Sequence, residues 1–180
     1  MNKFRSTVLM AISLVIVVAL TGCTAAAVEV PNRPIKISQE SGYDAQNSAL
    51  AGMLTGNIEL TEEQFSSLLS ELLKSNSGPN FPISEIQAWF EPNDEIFLRA
   101  VLKPNVLLSG DTLALKGTVG VMDNHVSLNL QQAGMGSLSV GEPLMSMISQ
   151  QINSVLAGPQ FGVAASVKTD TGKLMVQIGQ

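Results

Sequence analysis

The chain has 180 residues, 45% of them hydrophobic and 14% charged, with a formal net charge of −5 and one cysteine. That length suits one domain with a proper core, and a lone cysteine speaks against a disulfide framework. An acidic balance without a basic patch speaks against nucleic acid as a partner.

In chain order, MNKFRST carries Lys3 and Arg5, and VLMAISLVIVVAL follows. A charged start and about 13 apolar or small residues have the layout of a secretory signal. The run is short of the roughly 20 residues a membrane span needs. Leu20-Thr21-Gly22-Cys23 resembles the lipobox of bacterial lipoproteins, an aliphatic residue and two small ones before a cysteine. The resemblance implies that residues 1–22 are a signal peptide and that Cys23 takes a diacylglyceryl group and becomes the new amino terminus. The alternative is an ordinary buried cysteine. Acylation with two or three chains, palmitate among them, would hold the protein firmly to a membrane. Without Lys3 and Arg5 the formal charge becomes −7.

TAAAVEVPNRP is small, polar and punctuated by proline, and residues 23–36 read as a tether to a domain at 37–180. ISQESGYDAQNSALAGML predicts a helix with Ser38 as N-cap, weakened by Gly42, and NIEL predicts a short strand. Thr61 with Gln64 forms a capping box and Leu60 with Phe65 a hydrophobic staple, so two signals mark one helix start. Phe65, Leu68, Leu69, Leu72 and Leu73 then make a continuous apolar stripe, ended by SNSGPN.

Beyond it the period falls to two. Ile86, Ala88 and Phe90, then Ile96, Leu98, Ala100 and Leu102, form the dry face of a hairpin turning at Glu91-Pro92-Asn93-Asp94. A second hairpin sets Leu113, Leu115, Gly117, Val119 and Val121 against Val126, Leu128 and Leu130 around Asp123-Asn124. Pro143 opens another helix, with Leu144, Met147, Ile148, Ile152, Val155 and Leu156 on one face and Gly158-Pro159 closing it. A last hairpin spans roughly 163–167 and 174–178. These pieces predict an α+β single domain, a strongly curved antiparallel sheet of hairpins wrapped around two amphipathic helices.

The order LTEEQFSSLLSELL, ISEIQAWFEPNDEIFLRAVL, then LALKGTVGVMDNHVSLNLQQAGMGSLSVGEPLMSMISQQIN resembles small bacterial envelope proteins related to the tubular lipid-binding (TULIP) superfamily. Ala133, Gly136, Leu138, Val140 and Gly141 stand where those proteins have a Gly-rich segment leading into a helix. The resemblance covers about residues 37–178 and implies an apolar interior for an acyl chain or other elongated lipid, with no catalytic residue to carry over.

Direct tests for chemistry point the same way. His125 is the sole histidine and sits in a turn, without the partners a zinc site or general base wants. Ser137-Leu138-Ser139-Val140-Gly141 lacks the first glycine of a nucleophile elbow, and Ser139 stands where a dinucleotide fingerprint needs its third glycine. The pairs Glu62–Glu63 and Asp94–Glu95 read as solvated carboxylates at a helix start and a turn. The methionines, Met145, Met147 and Met175 among them, suit an apolar binding wall or an ordinary core.

The expectation is therefore an extracytoplasmic lipoprotein, anchored to a bacterial membrane through Cys23. It binds a lipid-like ligand without catalysis, metal or cofactor, with Phe65, Leu68, Leu72, Met147, Ile148 and Ile152 as the wall. The alternative is an assembly lipoprotein with a solid core. It would meet an envelope protein partner through Trp89, Phe97 and Val101.

Overall fold

The computed structural model describes residues 28–78, 81–104, 112–136 and 138–179. Cys23 and the signal segment lie outside the described residues. No described helix is long and apolar enough to cross a membrane.

Helix α1 (Gln39–Thr55) begins where expected, its cap Ser38 accepting a 3.1 Å hydrogen bond from the Ser41 backbone, and it ends on Gly56 at φ 82°. Strand β1 (Asn57–Thr61) leads into α2 (Glu62–Asn76). The capping box is complete: Thr61 Oγ1 accepts from Gln64 N at 3.2 Å, and Gln64 Oε1 accepts from Thr61 N at 3.0 Å. Two otherwise orphaned donors are satisfied, which makes this helix start stable and its sequence readable.

Strands β2 (Ile83–Glu91) and β3 (Glu95–Leu102) pair as expected, Ile86 facing Ala100 and Phe90 facing Ile96. Strands β4 (Thr112–Met122) and β5 (His125–Met135) turn on Asp123 and Asn124, both left-handed at φ 52° and 61°. That is the geometry a two-residue hairpin loop favours, because it matches the strand twist. Strand β6 (Leu138–Ser139) is a short addition to β5. Helix α3 (Glu142–Leu156), with Pro143 in its first turn, leads through a 3₁₀ turn at Pro159–Phe161 to β7 (Ala164–Asp170) and β8 (Lys173–Ile178).

The α+β class holds and all three helices read from the sequence form, but the strands divide into two antiparallel sheets where one strongly curved sheet was expected. One sheet has the order β2-β3-β4-β5-β6 and the other β1-β8-β7. The division follows from a non-local pairing: β1 lies against β8, Asn57 opposite Gln177, so the two ends of the domain make a sheet of their own. The sheets meet where β7 passes the hairpin turns. Thr169 N donates to Asp94 Oδ1 at 3.2 Å and Ala164 N to Asn124 O at 2.8 Å. One hydrophobic core joins both sheets and all three helices, from Ala45 and Ile58 through Phe65 and Ile86 to Ile152 and Val176.

Candidate functional site

The six wall residues do not share one surface. Phe65, Leu68, Ile148 and Ile152 are buried in the common core, where the Phe65 ring meets Phe90 edge-on at 5.1 Å and Phe161 at 6.3 Å. Met147 turns off the buried face of α3 and is 40% exposed, unlike its expected neighbours. Leu72 is half-buried, and together with Leu68 it reaches a surface groove.

Helix α2 sits so close to the sheet because of polar residues that look, in sequence, like its wet side. Strand β2 is an edge, and its outward backbone groups need partners. Ser70 Oγ accepts from Ile86 N at 2.9 Å and donates to Ile86 O at 3.0 Å. Ser66 Oγ accepts from Ala88 N at 2.8 Å, and Glu62 Oε1 from Phe90 N at 2.9 Å. Four helix residues rise about 6.0 Å and two strand residues about 6.7 Å, so side chains at i, i+4 and i+8 keep step with alternate strand residues. Glu62 is therefore 8% exposed, a correction to its reading as a solvated carboxylate, while its neighbour Glu63 is exposed. The opposite edge has a lighter seal. On β5, among the described residues, Leu128 alone is held in this way, by Asn153 of α3, Oδ1 at 2.7 Å and Nδ2 at 3.0 Å.

The candidate site lies between α1 and α2. Its groove encloses about 360 Å³ and is lined by Ala49, Leu50, Met53, Leu68, Leu72 and Pro159, with Gln46 and Gln160 as its polar members. Ligand sites of small molecules run from about 300 Å³ upward and are mostly apolar with a few polar groups, which this lining matches. Helix α1 shapes it by an inverted amphipathicity. Its small residues Gly42, Ala45, Ala49 and Gly52 are buried, and Tyr43, Leu50 and Leu54 point outward at 52%, 62% and 91% exposure. Gly52 permits the approach, since a Cβ there would stand 2.6 Å from Asn57 O.

A second recess of about 490 Å³, between α3 and β5, takes in Met122, Leu130 and Met145 but also Ser146, Ser149 and Asn153, so it offers no continuous apolar wall. His125 is half-buried with its Nδ1 unpartnered. No group of three or more His, Cys, Asp or Glu fit to hold a metal occurs among the described residues. Asp94 and Glu95 are engaged structurally, Asp94 as above and Glu95 with Lys116 at 2.9 Å.

Trp89, expected on an apolar outer cluster, is only 1% exposed. Its Nε1 donates to the Arg33 carbonyl at 2.8 Å, and the Arg99 guanidinium lies 5.1 Å above its ring. Arg33, inside the span expected to be a tether, is clamped to Glu62 at 2.6 Å and Glu91 at 2.7 Å. The hydrogen-bonded Glu62 carboxylate raises the guanidinium's pKa above its ordinary value, against the opposing effect of burial, and Glu91 adds to the rise. Arg33 is thus a cation at any pH where the fold survives.

No protein-family model and no curated protein matches this chain.

Proposed function

We propose that this protein is an extracytoplasmic lipoprotein, anchored through Cys23, that holds an elongated hydrophobic ligand without catalysis in the groove between α1 and α2. The observation that carries the reading is the groove itself: an apolar trough bordered by the exposed Leu50 and by Met53 and floored by Leu68 and Leu72. Two of the six wall residues expected from the sequence, Leu68 and Leu72, belong to it; Phe65, Ile148 and Ile152 lie in the core and Met147 is exposed on α3. Each methylene of an acyl chain taken from water there would contribute roughly 0.8 kcal/mol. The likeness to tubular lipid-binding domains belongs to this proposal. In its favour, α2 lies against β2 of one sheet and β1 and β8 of the other.

A second reading, assembly through protein contact, is favoured by the tightly packed interior around Phe65 and by the outward apolar side chains of α1. One experiment separates the two. The full chain is purified from membranes and its extractable lipid quantified by mass spectrometry, beside a Leu72→Glu variant whose folding is checked by circular dichroism. Stoichiometric lipid beyond the acyl anchor, lost in the variant, supports the ligand reading. Equal lipid in both, or none in either, rejects it in favour of protein contact.

A further inference from the structure

The segment ahead of α1 is fastened at one residue. Among the described residues, the hydrogen bonds of 28–37 all belong to Arg33: its guanidinium reaches Glu62, Glu91 and the Phe90 carbonyl, and its own carbonyl takes the Trp89 indole N–H. The next fixed point is Ser38, whose N–H donates to Ser67 Oγ at 3.1 Å. Val30 and Pro31 extend the cover over the sheet, edging a shallow recess with Glu91, Pro92 and Phe97. Trp89 lies on the outer parity of β2, beside Phe97 of β3, yet it is sealed.

We infer that residues 29–33 form a strap, and that the Arg33 clamp both seals Trp89 and sets how far the body stands from its anchor. The first half needs only the geometry above. The second rests on anchoring at Cys23. With the clamp closed, ten residue-to-residue steps lead from Cys23 to Arg33, a reach of at most about 36 Å; with it open, fifteen steps lead to Ser38, at most about 54 Å. The fastening suits a part that opens. It is polar, its flanking Val28, Val30, Pro31 and Ile35 are only half-buried, and segments with few buried apolar contacts open at the lowest free energy. The forked Arg33 contact with two carboxylates and a carbonyl is one lysine does not reproduce.

Trp89 is the sole tryptophan of the chain, so its emission reads the strap directly. The full chain is reconstituted into phosphatidylcholine vesicles containing a dansyl headgroup lipid, as wild type, Arg33→Ala, Arg33→Lys and Glu91→Gln. Expected for Arg33→Ala are a red-shifted emission, a several-fold rise in the acrylamide quenching constant and weaker energy transfer from Trp89 to the dansyl lipid, with the far-ultraviolet circular dichroism unchanged. Arg33→Lys should fall between. If Arg33→Ala does not fold, Glu91→Gln, which keeps Glu62 paired, is read in its place. A folded variant whose Trp89 emission and quenching match wild type overturns the strap. Unsealing without a change in energy transfer overturns the reach. A Cys23→Ala chain that still gives wild-type transfer shows instead that the anchoring reading has failed, while the sealing result stands on its own.

Discussion

Helices α1 and α2 lie side by side and line one groove, but they are attached to the molecule by opposite means. Helix α2 is apolar toward the core and fastens itself with polar residues, Glu62, Ser66 and Ser70, each answering a backbone group of β2. Among the described residues, helix α1 makes no such bond to β2; its one side-chain bond to a strand is at its last residue, where Thr55 Oγ1 donates to Asn57 O at 3.4 Å. It approaches through glycines and alanines and turns its large apolar side chains to solvent. The difference teaches that an apolar stripe does not by itself say which way a helix faces. A stripe of small residues permits close contact, and close contact frees the bulky residues for an outward task.

Removing the fastening of α2 should have the largest effect. Ser66→Ala with Ser70→Ala leaves the Ile86 and Ala88 backbone groups buried without partners, at about 1–3 kcal/mol for each site. Chemical denaturation should show the combined loss, and amide exchange should quicken at Ile86 and Ala88. A pair of substitutions costing under about 0.5 kcal/mol, the level of an inert surface change, would show that β2 does not depend on α2. Next in size is Gly52→Val. Its Cβ falls 2.6 Å from Asn57 O and from the Ile58 side chain, so α1 must lift from β1. Overpacking of this kind costs about 1–3 kcal/mol, and groove affinity for an acyl probe should fall along with stability. The smallest effect sharpens the contrast. Leu50→Gln, at a groove residue 62% exposed, should leave stability within about 0.5 kcal/mol of wild type and still weaken binding of an acyl probe.

Local chemistry made much of this fold legible. The Thr61–Gln64 box, the Asp123-Asn124 turn and the Pro143 start of α3 each depend on neighbours within a few residues, and each formed as read. What depended on distant partners was not legible. The pairing of β1 with β8 joins residues over a hundred positions apart, and no periodicity announces it. The role of Glu62, Ser66 and Ser70 was hidden because polar residues on an amphipathic helix look solvated. The available signal was their spacing of four, in step with alternate residues of an edge strand. Leu68 and Leu72 could be named from the sequence because the stripe of α2 is continuous, whereas Leu50 and Met53, which line the same groove, sit on a helix that looked too weak to draw notice. Trp89 was placed on the correct face but not under its cover, since Arg33 belonged to a segment whose composition reads as a tether.

An alkyl chain should be accepted at the surface between α1 and α2, with the centre of the domain closed. Methyl resonances of the full chain in detergent-free nanodiscs, observed while a stearate spin-labelled near its methyl end is titrated in, test this directly. The account predicts paramagnetic broadening at Leu50, Met53 and Leu72 and sharp signals at Ile148 and Ile152. Broadening at Ile148 and Ile152 equal to that at the groove would contradict it.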